Sequence, residues 1–423
     1  MTELQQKRSI TFRHAVAIYM ASVLGGGILI LPGLAAQVAG SLSIIAWVLL
    51  AMASYPFAFT FSRLALINPR SGGIFTFSRD AFGSYVGNGV GWLFLAWVCL
   101  GAPAVALAAG SYLSFAIPLT RLEIFEFALV MIIAVAVINY AGIRFSATVQ
   151  FMVIVAVVGI LVLSIATSFF RVSSTNLTQV PAGNDLFSIG TSMALIIWAY
   201  FGYENVPNLA GEFVNPKRDI QRSVFYSVVI IGILYTALAI VTVGTGAYLA
   251  GGSIAPFSVL MSSVFGRYGA IAAAIVAVVA IFSTMNAYYA GVSKLVQTLA
   301  MNDGIPKYFS KGNAHTGSAS ASILLITCLA VISLVMYWIF DISIATSFLA
   351  VSGAGVLTYI AGSSAGVRLL KLNGLQKLLP WASLVTAVVI MFFIGYVILV
   401  SVATFLLSLI YTKYVTRIHS ENQ

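Results

Sequence analysis

Apolar runs long enough to cross a bilayer follow one another along almost the whole chain, and that pattern leaves few architectures open. A spanning helix takes about 20 mainly apolar residues. Runs of that kind lie at about 14–38, 42–67, 87–116, 123–141, 148–169, 186–207, 222–249, 269–298, 319–340, 344–370, 378–394 and 396–412, which predicts twelve spans. The last two come from one apolar stretch, 378–411, broken mainly at Gly395. It is too long for a single crossing of a hydrocarbon core about 30 Å thick, so a tight hairpin is expected there. The connecting segments are short, the longest being about 170–185 and 300–318, and neither can fold a domain of its own. The fold class expected is therefore an all-α polytopic membrane protein. Composition agrees: only 8% of the 423 residues are charged and 61% are hydrophobic. A soluble domain carries roughly a quarter charged residues, so a water-soluble enzyme and a disordered chain are both excluded.

The basic residues test the span count independently. With the N-terminus taken as cytoplasmic and sides alternating, the inner segments hold Lys7, Arg8, Arg13, Arg63, Arg70, Arg79, Arg144, Lys217, Arg218, Arg222, Lys294, Lys307, Lys311, Arg368, Lys371, Lys377, Lys413 and Arg417. The outer segments hold only Arg121, Arg171 and Arg267, so 18 of the 21 Lys and Arg residues fall on one side. This is the asymmetry that the positive-inside rule demands, and a missed span would scramble it. Both termini are expected on the cytoplasmic side of a multi-pass protein of the cell membrane. The net charge of +10 then reads as topology, and no nucleic-acid partner is expected. The first apolar run follows a polar dozen residues and outruns a signal-peptide core, so no cleavable signal is expected. Cys99 and Cys328 lie in apolar runs and make no disulfide framework. His14, His315 and His419 are far apart, so neither a metal site nor a cofactor is expected.

Two spans are interrupted. Span 1 contains Gly25-Gly26-Gly27 and then Pro32. Each glycine costs a helix roughly 1 kcal/mol relative to alanine, and proline removes a backbone donor. A small-residue packing face would space its glycines by three or four; contiguity favours unwinding. Unwound backbone at bilayer depth is tolerated only where it lines a protein cavity. The second half-helix, beginning near Ile28, would present free amides and a positive dipole end to an anion such as a carboxylate. Span 6 carries Trp198-Ala199-Tyr200-Phe201-Gly202-Tyr203-Glu204 and then Pro207. An acid in a spanning segment is costly and marks a functional candidate, although Glu204 lies in the cytoplasmic half, where a carboxyl can also snorkel to the interface. Interrupted helices at corresponding positions of two five-span halves point to a transporter site near the midplane.

At these residues the chain resembles the amino acid–polyamine–organocation (APC) transporter superfamily from about Ile10 to its C-terminus. Besides the glycine-rich break at 24–32, the motifs are Pro69-Arg70-Ser71-Gly72-Gly73-Ile74-Phe75 with Ala81-Phe82-Gly83 and Gly91-Trp92, then Phe201-Gly202-Tyr203-Glu204 continuing to Glu212 and Asn215-Pro216-Lys217-Arg218-Asp219, and finally Asn302-Asp303-Gly304-Ile305-Pro306. Each is weak alone, and their order and spacing make them strong together. Residues 24–40 and Phe282-Ser283-Thr284-Met285-Asn286 are most similar to bacterial exporters of methionine and branched-chain amino acids. The resemblance implies one integral-membrane unit: an inverted repeat of five plus five helices, about 12–169 and 186–371, with broken helices 1 and 6 and two extra helices at about 377–412. It also implies a substrate site between the breaks. The backbone around Val23, Gly26 and Gly27 would hold an α-carboxylate, and carbonyls near Trp198 and Phe201, with that of Val23, would take an α-ammonium; Gly25, Ile28 and Gly202 complete the expected substrate-binding backbone. Some coupled relatives carry a lysine in span 5, which 147–169 lacks. The usual Thr-Pro before span 9 reads Ser318-Ala319 here.

The candidate side-chain pocket is aromatic and apolar: Trp97, Trp198, Phe201, Tyr203, Met285 and Tyr289. It offers no Lys or Arg to an acidic substrate and, apart from Glu204, no acid to a cationic one. A neutral, hydrophobic amino acid such as methionine, leucine, isoleucine or valine is therefore expected, moved by alternating access. Glu204 is the candidate proton-responsive or gating residue. Ser283 and Thr284 could lend hydroxyls to a sodium ion, although paired hydroxyls in a membrane helix more often bond back to the preceding turn. Import, export and exchange use the same site, so the residues leave direction and coupling ion open, as they do a different amino acid or amine. A channel would need a repeated filter or polar pore lining, and a membrane-embedded enzyme would need clustered acids, histidines or an activated nucleophile. Neither pattern is visible.

Overall fold

The computed structural model describes residues 11–67, 73–143, 147–178, 180, 183, 185–204, 213–249, 251–313 and 316–421. Lys7, Arg8, Pro69, Arg70, Ser71, Gly72, Arg144, Pro207, Glu212 and His315 lie outside the described residues, as do the side chains of Lys217 and His419. The described chain is helical throughout: α1 (Phe12–Val23), α2 (Gly27–Ala39), α3 (Ser43–Ile67), α4 (Gly73–Phe82), α5 (Ser84–Ala116), α6 (Arg121–Tyr140), α7 (Ala147–Ser168), α8 (Ser174–Thr178), α9 (Leu186–Ile196), α10 (Pro216–Gly244), α11 (Pro256–Met301), α12 (Ser320–Ile339), α13 (Ile344–Leu369), α14 (Leu378–Phe392) and α15 (Ile398–Glu421).

Ten helical segments among the described residues are long and apolar enough to cross a membrane. The two spans missing from a count of twelve are the two interrupted ones. Span 1 is divided into α1 and α2, and α2 runs through a short 3-10 turn into α3. Span 6 is reduced to α9 and a 3-10 turn, Ile197–Tyr200. The C-terminal hairpin turns where expected, with Gly395 at φ 72 between α14 and α15. One span has an addition: α11 holds a kink at Gly266 (φ 57, ψ −146), so a short helix precedes the crossing helix proper.

Helix starts follow the local chemistry. Thr120 and Glu123 form a capping box on α6, Asp185 caps α9 through the Ser188 amide (3.1 Å), and Ser343 caps α13 through the Thr346 amide (3.1 Å). Each satisfies an amide that the first turn leaves free. In the interior, α5 packs on α11, α13 and α15, while α3 packs on α10 and α14. Between these groups, α1, α2 and α9 bring their interrupted ends together.

Candidate functional site

The break in span 1 is three residues long. Leu24 closes a turn (φ −73, ψ 62) in which the Gly25 amide donates to the Val23 carbonyl at 2.8 Å. This is the inverse γ-turn geometry, which needs no side chain. Gly26 is the N-cap of α2, without a side-chain cap, and α2 begins at Gly27, one residue ahead of the expected Ile28. The glycines admit close neighbours: a Cβ on Gly27 would sit 2.7 Å from the Trp198 ring, and one on Gly26 would sit 2.6 Å from the Ile281 side chain. The α2 amide end therefore lies against an indole on one side and α11 on the other.

The break in span 6 is described from Phe201 to Glu204. After the 3-10 turn, Phe201 is extended (φ −76, ψ 150) and Gly202 adopts φ 128. A Cβ on Gly202 would collide with the Ser22 carbonyl oxygen, so the two breaks meet backbone to backbone. Side chains from other helices hold the junction. The Ser22 hydroxyl donates to the Gly202 carbonyl at 2.7 Å. The Tyr235 hydroxyl, from α10, lies 3.1 Å from the Val23 carbonyl and 3.2 Å from that of Ala199. Glu204 is 2% exposed, and its Oε2 accepts the Gly202 amide at 2.8 Å and the Tyr359 hydroxyl of α13 at 2.6 Å. A snorkelling carboxyl is thus excluded: Glu204 is an internal tie across its own break.

A cavity of about 810 Å³ lies against this junction. Ser22, Leu24, Gly25, Glu204, Ser283, Thr284 and Tyr288 line one end, and Lys294, Gln297 and Thr298 line the other. The Thr284 hydroxyl bonds back to the Ala280 carbonyl at 2.9 Å, as hydroxyls in membrane helices commonly do. A second, much smaller pocket of about 30 Å³ shares Thr284 and Tyr288 with it and brings together Trp97, Trp198, Met285 and Tyr289 with Gly101 and Val105. The Trp198 indole N–H finds no hydrogen-bond partner among the described residues.

Of the residues singled out in the sequence, Gly25, Glu204, Ser283 and Thr284 line the large cavity, and Trp97, Trp198, Met285 and Tyr289 line the small one. Phe201 lies behind them, 4.6 Å from both the Trp97 and Tyr359 rings, centroid to centroid. Val23, Gly26, Gly27, Ile28 and Gly202 form the junction behind the cavity wall. Tyr203 turns the other way, onto Tyr19 at 6.4 Å. The carbonyls expected to stand free are engaged: that of Val23 by Gly25 and Tyr235, and that of Trp198 by the Phe201 amide at 3.3 Å. Sequence reasoning missed Ser22, Tyr235 and Tyr359, which are isolated polar groups in largely apolar stretches, and Tyr288, which neighbours the singled-out Tyr289. It used Lys294 only as a topology marker, whereas that side chain lines the cavity. Among the described residues there is no group of three or more His, Cys, Asp or Glu that could hold a metal ion.

Comparison with known proteins agrees with this geometry. The amino acid permease family model matches residues 10–415. An uncharacterized amino acid permease of Bacillus subtilis, YecA, is 31% identical over 400 residues, covering 94% of this chain and 93% of the relative. The L-methionine/branched-chain amino acid exporter YjeH of Escherichia coli is 26% identical over 398 residues, covering 92% of each chain. The putrescine transporter PotE of Haemophilus influenzae is 24% identical over 303 residues, covering 69% of this chain and 68% of the relative. With two interrupted spans meeting beside a cavity, and a family match that runs nearly from end to end, the chain belongs to the amino acid permease family and is a membrane transporter rather than an enzyme.

Proposed function

We propose that this permease carries neutral, hydrophobic amino acids, of the methionine, leucine, isoleucine and valine class, by alternating access between two inverted five-helix repeats (about 12–169 and 186–371). The single observation that carries the reading is the lining of the two cavities. Among the described lining residues Glu204 is the one acid and is already engaged by Gly202 and Tyr359, and Lys294 is the one base, well along α11 from Ser283 and Thr284. A cationic side chain would have no free partner there, and an anionic one would have to stay near Lys294. The zwitterion's carboxylate would bind the Gly26–Ile28 amides at the start of α2, where the dipole end favours an anion. Its side chain would enter between Trp97, Trp198, Met285 and Tyr289. Because the small pocket holds only about 30 Å³, that step requires the Trp198 ring to leave Gly27. The distribution of basic residues supports cytoplasmic termini in the cell membrane, with the large cavity reaching toward the cytoplasmic side through Lys294.

Likeness to the Escherichia coli exporter supports the substrate class and export as the direction. Glu204 is the coupling group in this reading: it is internal, touches the cavity and ties the break shut, so exchanging its proton would change the tie. Ser283, in the same lining beside Gly25 and Thr284, keeps a sodium ion as the second reading. The test is counterflow in proteoliposomes with each of the twenty amino acids, with and without sodium and a pH gradient. Saturable counterflow of methionine and the branched-chain amino acids is expected. Preference for arginine or glutamate would overturn the substrate class, and non-saturating flux would indicate a channel.

A further inference from the structure

A second large concavity lies away from the breaks, between the start of α1 and the start of α10, with a volume of about 890 Å³. Arg13 from α1 and Arg218 and Arg222 from α10 line it, and Asp219 is the one acid among its lining residues. No ion pair joins any of the three arginines to a described carboxylate. Beyond the arginines the wall becomes apolar, through Val16, Tyr226 and Ile230, with Tyr226 51% and Ile230 40% exposed. Phe12 packs edge-on against Tyr226 at 5.5 Å, joining the α1 and α10 sides.

The order of groups along α10 is informative. Arg218, Arg222, Tyr226 and Ile230 recur every fourth residue, so they share one helix face. That face runs about 18 Å from guanidinium through phenol ring to aliphatic side chain. Since α10 is long and apolar enough to cross the membrane, the aliphatic part meets acyl chains and the arginines sit near the polar boundary. Topology alone asks for positive charge on this side of the membrane. It does not ask three arginines on two helices to converge on one groove with an apolar floor.

We propose that this groove binds one anionic phospholipid from the leaflet on the Arg218 side, with its phosphate among Arg13, Arg218 and Arg222 and an acyl chain along Tyr226 and Ile230. Guanidinium groups pair with phosphate oxygens bidentately, and basic pockets between membrane helices are suited to such headgroups. A soluble anion would satisfy the arginines and leave the apolar wall unused.

Native mass spectrometry of the full-length protein tests this, using release from micelles doped with equimolar phosphatidylglycerol and phosphatidylcholine. Preferential retention of one phosphatidylglycerol is expected, reduced roughly tenfold or more in the Arg218→Gln/Arg222→Gln variant. Lys307→Gln/Lys311→Gln, which removes two charges elsewhere on the basic face, is expected to retain it fully. Arg222→Lys keeps the charge but loses the bidentate pairing; it is expected to lower retention several-fold and covers the case in which the double variant fails to fold, and unchanged retention in it would overturn the guanidinium assignment. Equal retention of the two lipids, an unchanged double variant, or equal loss in the Lys307/Lys311 control would overturn the proposal. Displacement of the lipid by millimolar inorganic phosphate would overturn it too, by making the site one for a free anion.

Discussion

The two interruptions meet at one point and are built in opposite ways. The break after α1 is a property of its own sequence: a γ-turn at Leu24 and glycines that let Trp198, Ile281 and Thr284 approach, with no capping side chain. The break after α9 is held from outside, by Tyr359 on α13, Ser22 on α1 and Tyr235 on α10, which also reaches the Val23 carbonyl of the first break, with Glu204–Gly202 and Phe201–Trp198 as local ties among the described residues. Among the described residues of that break, glycine is needed at Gly202, where φ is 128. The difference suggests a division of labour. The first break supplies a fixed backbone surface, and the second can change with the positions of three other helices.

The largest effect should come where the two breaks touch. Gly202→Ala forces a side chain into φ 128 and against the Ser22 carbonyl, a strain of roughly 1–3 kcal/mol before the collision is counted. Counterflow should be abolished and the melting temperature in detergent lowered; a variant transporting at the wild-type rate would show that the junction opens in every state. An intermediate effect is expected at the tie. Tyr359→Phe removes a 2.6 Å hydrogen bond to a buried carboxyl, about 1–3 kcal/mol, and should loosen the second break without touching the first. Glu204→Gln keeps an acceptor for both donors but cannot exchange a proton, so it should retain substrate binding and lose the pH dependence of transport. Unchanged rate and pH profile in proteoliposomes would remove Glu204 from coupling. The smallest effect should be Gly25→Ala. Its new methyl would lie 3.2 Å from the Thr284 methyl, a contact that a few tenths of an ångström would relieve, so a modest fall in counterflow is expected with folding intact.

How far the sequence carried differs between the two breaks for the same reason. Three adjacent glycines are visible in the chain, and their effect on a helix is local. Glu204 was visible as an acid in an apolar run, but its partner Tyr359 is 155 residues away and is one tyrosine in a span rich in small and apolar residues. Nothing local distinguishes it from a tyrosine that faces lipid. Tyr203 shows the converse: it is adjacent to the tie in sequence, yet the turn at Gly202 sends its ring toward Tyr19, away from both cavities.

What the sequence determined by itself was the class of solvent and where along the chain the spans and their interruptions fall. Apolar runs, the Gly395 turn and the glycine triplet act through the bilayer or through neighbouring residues, and each is written in a single stretch of chain. Only the tertiary structure decided which spans lie inside. In α5 the apolar window is 78% buried and in the α14 and α15 segments it is 22%, yet all three read as ordinary membrane helices. Lipid tails are as apolar as a protein interior, so hydropathy cannot separate a helix facing lipid from one facing another helix. The same indifference left Tyr235, Tyr288 and Tyr359 unread until packing brought them to the breaks.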